Sequence, residues 1–150
     1  MTEKVTFKMT SKARNQVALK ASHGNIHVLA VGVTDYPCKS GFNTLKKCNE
    51  DAFQVMATFR DTCQLNAAPS HIQLMSSKSN THVPYRGMII RQLQELASGA
   101  AADDRILFYF SGHGHRIAEI DDRFLVPQDV FSEDKPDALV SGTDTGSELV

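Results

Sequence analysis

The chain has 150 residues, 41% of them hydrophobic and 22% charged, with a formal net charge of −1; this suits one globular domain with its own core and lacks the basic excess of a nucleic-acid binder. Its three cysteines, an odd number with no C-x-x-C pair, argue against a disulfide framework and for a reducing compartment, with the cytoplasm the expected location. No signal-peptide core opens the sequence and nowhere do about 18 apolar residues run together, so neither secretion nor a membrane span is expected.

Residues 1–24 read as a basic arm, with Lys4, Lys8, Lys12, Arg14 and Lys20 against Glu3 alone. Ile26 to Val33 is a continuous apolar, β-branched run, the pattern of a strand buried on both faces of a parallel sheet. After a loop with Asp35, Pro37, Ser40 and Gly41, apolar residues at Leu45, Cys48, Ala52, Val55, Met56 and Phe59 predict an amphipathic helix. His71 to Met75 reads as a second strand. Pro84 suits the first turn of a second helix, in which Ile89, Leu93, Leu96 and Ala97 share a face until Ser98-Gly99 stops it. Arg105 to Phe110 is a third strand, and Phe124 to Val126 a short extended piece ended by Pro127. Residues 131–150, rich in Glu, Asp, Ser, Thr and Gly, read as an acidic flexible tail or linker. Strand, helix, strand, helix, strand is the grammar of a three-layer α/β domain over residues 25–130.

In such sheets ligands gather beyond the carboxyl ends of the strands. The third strand runs straight into Ser111-Gly112-His113-Gly114, which puts one histidine on that rim. The loop 34–42 and the start of the first helix, with Cys48 and Asp51, are expected on the same rim. There His113 can act as a base, and the glycines leave room for a substrate chain and lift the backbone restriction, with the Gly114 N–H available as an oxyanion donor. The alternative is a glycine turn capped by an imidazole. A metal held by His113, His115 and Cys48 is not expected, because paired ligand spacings are missing. His23, His27, His71 and His82 read as surface or satisfied core residues. Taken alone, Cys48 reads as a small apolar helix residue and Asp51 as a first-turn charge favoured by the dipole.

The strand ending in Ser111-Gly112-His113-Gly114, the earlier Val28 to Val33 strand followed by Asp35-Tyr36-Pro37, and the helix start Leu45 to Ala52 together resemble the large-subunit (p20-like) region of caspase-like cysteine proteases. Metacaspases and bacterial caspase homologues are the most similar. The resemblance spans residues 25–129 and implies a three-layer αβα caspase-like fold, with a mostly parallel sheet and flanking helices, incomplete without a C-terminal continuation. It implies His113 as catalytic histidine and Gly114 as oxyanion donor. Cys48, Asp51 and Ser111 would line the pocket for the residue before the cut, an acidic pocket that prefers Arg or Lys. Animal caspases use an arginine just before the first strand for aspartate; Ser22-His23-Gly24-Asn25 has none, so aspartate specificity is not expected.

The nucleophilic cysteine of this pattern follows the histidine by about 50 residues, whereas Cys38, Cys48 and Cys63 all precede His113. The expected protein is thus the histidine-bearing part of a cytoplasmic, zymogen-type cysteine endopeptidase acting on protein or peptide substrates. Its cysteine would come from a small subunit or C-terminal fragment, with neither nucleic acid nor membrane as partner. The alternatives are an inactive caspase-like scaffold and, more distantly, an anion-binding α/β domain. No cofactor is required. The resemblance raises calcium, for which Glu119, Asp121, Asp122 and Asp129 are available, but they are few for six to eight oxygen ligands and a solvated loop is the preferred reading.

Overall fold

The computed structural model describes residues 24–61, 71–118, 122–131 and 139–141. Its centre is β1 (Ile26–Gly32), whose β-branched run is buried on both faces. The strand is flanked in parallel by β2 (Ile72–Ser76) and β3 (Arg105–Ser111), in the order β2-β1-β3, with Val28 opposite Ile72 and Leu107. Alternation along β1 sends Val28 and Ala30 to one face and Leu29, Val31 and Val33 to the other, giving two separate cores.

On the first face lies α1 (Cys48–Asp61), which buries Ala52 and Met56 against Val28, Ala30 and Ile72. Glu50 and Asp51 in its first turn and Arg60 in its last complement the helix dipole. On the second face α2 (Arg86–Gly99) buries Ile89, Leu93 and Leu96 against Leu29, Val31 and Met75. Each such apolar side chain contributes about 2 kcal/mol by leaving water. Helix, sheet and helix form the three layers of the α/β class.

Past β3 the chain turns into a small antiparallel sheet of β4 (Gly114–Ile117), β5 (Asp122–Leu125) and β6 (Val140–Ser141). Ile117 and Phe124 on one side of this hairpin join the core beneath α2.

Several boundaries differ from the sequence expectation. Leu45 stands ahead of α1 in extended loop, because its N–H is taken by Thr34 O at 2.9 Å. Pro84 likewise precedes α2, whose start at Arg86 is fixed from elsewhere in the chain: the Asp129 carboxylate accepts the Arg86 N–H at 2.8 Å. Strand β4 was not anticipated, since only Ile117 in Gly-His-Arg-Ile is buried. Within the segment expected to be a solvated tail, Leu139 and Val140 are fully buried and Val140 pairs with Leu125. Residues 132–138 and 142–150 of that segment, the basic arm through residue 23, Cys63, Glu119 and Asp121 lie outside the described residues. Among the described residues no helix is long and apolar enough to cross a membrane.

At the opposite end of the sheet from the glycine loop, His27 Nε2 meets Asp104 Oδ2 at 2.9 Å, with side chains only 7% and 5% exposed, and the His71 ring stacks on His27 at 4.3 Å. Asp104 also accepts the Ala101 and Asn25 N–H groups. The His27 hydrogen bond first, then these amides, hold its carboxyl down at about 2 from a usual 3.8. A depressed carboxylate stabilises the fold above its unfolded value and loses that contribution as pH falls. Stability of the wild type should therefore drop between about pH 4 and about pH 2, and more steeply than that of Asp104→Asn, in urea melts across that range. Parallel pH curves would show that Asp104 contributes nothing.

Candidate active site

Three segments build the rim at the carboxyl ends of the strands. Residues 34–43 follow β1, Ser76 ends β2 and Ser77 follows it, and Ser111 ends β3 and leads through Gly112 and His113 to Gly114. Ser77 joins the first two to α1: its Oγ accepts the Thr34 N–H at 3.0 Å, while its N–H faces both Asn49 Oδ1 and Gly32 O at 3.2 Å. The first loop is folded by Ser40, whose Oγ donates to Pro37 O at 2.7 Å and accepts the Phe42 N–H at 3.3 Å. Gly41 provides the left-handed backbone (φ 86°) that this turn needs. The result directs Phe42 onto His113, with ring centroids 5.3 Å apart, and onto His115 at 5.8 Å.

His113 is half-buried, between Phe42 and Tyr36, whose ring lies 5.0 Å away. Its Nε2 lies 2.8 Å from Asn43 O. A carbonyl only accepts, so Nε2 carries the proton in that bond and Nδ1 remains as the ring's acceptor. The arrangement can therefore take a proton at Nδ1 while the carbonyl steadies the imidazolium that results. Asn43 acts through its backbone, so no sequence motif could have revealed it.

Tyr36 is the second contributor missed by sequence reasoning. Its buried hydroxyl accepts the His113 N–H at 2.9 Å and donates to Val126 O at 3.4 Å, while the Val126 N–H reaches His113 O at 3.0 Å. One bond of an antiparallel ladder is thus replaced by a hydroxyl bridge. Burial pushes the phenol up to about 12, against the lowering effect of the His113 N–H, so the bridge stays neutral at working pH. Gly112 is required by the same bridge: a Cβ there would stand 2.8 Å from the Tyr36 hydroxyl and from the Phe110 ring. Among the described glycines only Gly41 has positive φ, so of the two roles expected for Gly112 and Gly114, room and backbone freedom, their backbone needs only the first.

Because Val126 and His113 exchange a ladder bond, alternation makes Gly114 and Leu125 the non-bonded pair. The Gly114 N–H accordingly lies outside the hairpin ladder. On the other side of His113, Ser111 Oγ donates to Asp51 Oδ2 at 3.2 Å. Cys48 is buried at the start of α1, and its carbonyl is pressed against Gly32. The structure thus brings Ser111 and Asp51 into direct contact, with Cys48 one turn earlier on the same helix.

A parallel α/β domain with an anchored histidine beyond its third strand is the class that fold and rim define. Residues 27–138 match the family model for the metacaspase, peptidase C14 domain, which is most of the chain; the protein belongs to that family of proteases. No curated protein matches it significantly. Among solved structures it is similar to protein GSU0716 from Geobacter sulfurreducens, with a TM-score of 0.61 at 17% identity. That match covers 81% of this chain and 43% of the other, so the likeness concerns fold alone and spans under half of the larger protein.

Of the carboxylates considered for calcium, Glu119 and Asp121 lie outside the described residues. Asp122 Oδ1 accepts the Arg123 N–H at 2.7 Å, and Asp129 caps α2. Among the described residues no three His, Cys, Asp or Glu side chains gather as a metal site.

Proposed function

We propose that this chain is the histidine-bearing part of a caspase-like cysteine endopeptidase that cuts after Arg or Lys. Its nucleophilic cysteine would come from a following segment or a second chain. The observation that carries the reading is the Ser111 to Asp51 hydrogen bond beside a histidine whose Nε2 is fixed on Asn43 O. A carboxylate on the rim, held by a neutral hydroxyl, keeps its negative charge for a guanidinium or ammonium. In this reading Cys48 forms the pocket's apolar wall.

His113 Nδ1 takes the thiol proton, and the thiolate sulfur attacks the scissile carbonyl carbon. The Gly114 N–H receives the developing oxyanion. Collapse breaks the C–N bond, and the proton on His113 passes to the leaving amine. Water, deprotonated by the same nitrogen, then releases the acyl group and restores the thiol. Strand β3 supports the origin of the cysteine: it pairs with β1 alone among the described strands, and Ile106 and Leu107 are 39% and 36% exposed. An apolar strand edge of this kind is a template for another strand.

The test is to express the chain with its natural continuation and assay peptide amides ending in Arg, Lys or Asp. Arg and Lys peptides should be cleaved, and Asp51→Asn should cut kcat/KM for them by about tenfold or more, as loss of a charge-assisted contact implies. Equal cleavage after Asp, or no effect of Asp51→Asn, would overturn the specificity. A folded but inactive protein would instead indicate a scaffold.

A further inference from the structure

His113 is held at both of the peptide groups that flank it. Its N–H meets the Tyr36 hydroxyl at 2.9 Å, and its carbonyl accepts the Val126 N–H at 3.0 Å. The hydroxyl also donates to Val126 O at 3.4 Å, so the two holds are tied to each other. A trans peptide is planar, with its C=O and N–H on opposite edges. The Val126 N–H that fixes His113 O therefore turns the next N–H, that of Gly114, away from β5. Gly114 is exposed, and a Cβ there would meet nothing nearer than Phe124 O at 3.8 Å. The donor proposed for the oxyanion thus takes its direction from the backbone of Val126, and Val126 is braced by Tyr36.

In a regular antiparallel pair the His113 N–H would bond Val126 O directly. Here an oxygen from the loop after β1 stands between them, which sets the two backbones wider apart at the mouth of the hairpin. The same loop brings Asn43 O to 2.8 Å from His113 Nε2 and Phe42 against the imidazole. Residues 36–43 therefore place the base and, through the hydroxyl, the donor beside it. The Tyr36 ring is buried in the core and packs on His113 with centroids 5.0 Å apart, which fixes where its hydroxyl lies. Gly112 leaves room for that oxygen, since a Cβ there would stand 2.8 Å from it.

We infer that Tyr36 is a positioning residue for catalysis, whose hydroxyl aligns the Gly114 N–H with the developing oxyanion as well as steadying His113. The inference rests on the proposed protease reading. It gives the oxygen a role in the transition state that the packing of the ring does not need.

The test separates that role from packing. In the chain joined to its continuation, Tyr36→Phe keeps the ring and removes the oxygen. It should lower kcat for an Arg-ending peptide amide about tenfold to 100-fold, with KM within about twofold of the wild type, as misplacement of a transition-state contact implies. A peptide aldehyde ending in Arg, whose carbonyl carbon takes the thiolate and whose oxygen then meets the Gly114 N–H, should bind at least about tenfold more weakly. The corresponding alcohol forms no adduct and should bind as before. Gly112→Ala crowds the hydroxyl while leaving Tyr36 in place; it should lower kcat in the same way, and in the double variant the two losses should not multiply. Independently of hydrolysis, Tyr36→Phe in the 150-residue chain should speed hydrogen exchange of the His113 amide and move the Gly114 amide NMR signal, with the β1 amides unchanged. Wild-type kcat in Tyr36→Phe, an unaltered His113 amide, or losses that multiply would overturn the positioning role while sparing the protease reading. Aldehyde and alcohol weakened alike would show packing alone and overturn it too. Altered His113 and Gly114 amides in a protein that cleaves nothing would remove the protease reading, and the catalytic role of Tyr36 with it.

Discussion

Replacing His113 by alanine should lower kcat/KM for an Arg-ending peptide by about 100-fold to 10,000-fold in the chain joined to its continuation, the range expected when a positioned general base is removed. The loss should fall on kcat. The side chains assigned to the residue before the cut are Cys48, Asp51 and Ser111, and the Ser111 to Asp51 contact at 3.2 Å does not involve the imidazole. Substrate affinity should therefore stay close to that of the wild type. Loss of the ring also removes its packing against Tyr36 and Phe42, so the thermal midpoint must be measured beside the kinetics. A modest drop in midpoint with a large drop in kcat supports the base; undiminished kcat would move the proton transfer to another group.

A contrast with Asn43 sharpens this expectation. Its carbonyl holds His113 Nε2, and any side chain at that position supplies the same oxygen. Asn43→Ala should therefore leave kcat nearly unchanged. The orienting group of this histidine belongs to the backbone path of the loop, and that path is held by the Ser40 turn and by Ser77.

The same distinction explains what could be read from the sequence. Apolar runs at Ile26 to Val33 and Arg105 to Phe110, separated by helical periodicity, revealed the parallel sheet; β1 shows the pattern because both its faces are buried, whereas β3 shows it as an edge strand with its first three residues exposed. That the loop from Ser111 to Gly114 and the start of α1, with Asp51, meet on one rim was legible because a strand end and a helix start mark each of them. Asn43 and Tyr36 were not: the first works through a carbonyl, and the second through a hydroxyl bridge between residues 77 and 90 positions further along. Strand β4 was hidden because a two-faced hairpin with one buried side chain has too short an alternation to register. The pairing of His27 with Asp104 joins residues 77 apart, so nothing local announces which carboxylate hydrogen-bonds this buried histidine.

Gly32 links the fold to the site most directly, and Gly32→Val should be the most damaging single change to stability. A Cβ at this position would stand 2.5 Å from Cys48 O, 2.8 Å from Asn49 Cα and 2.9 Å from Cys48 C. All three are backbone atoms of the first turn of α1, so no rotamer change can relieve the contact. Either β1 bends or α1 retreats. Overpacking typically costs 1–3 kcal/mol, and against rigid backbone the upper end applies, about 3 kcal/mol. For a domain of this size that lowers the thermal midpoint by about 10 °C. Gly114→Ala is the matched control: its nearest neighbour would be Phe124 O at 3.8 Å, ordinary contact, so the midpoint should hardly move. Retreat of α1 would also carry Asp51 away from Ser111 and break the Asn49 to Ser77 bond. In whatever fraction of Gly32→Val remains folded, selectivity for Arg over Asp should therefore fall. Equal midpoints for the two variants would mean that the helix start yields easily. In that case the tight seat of α1 on β1 could not be what fixes the rim.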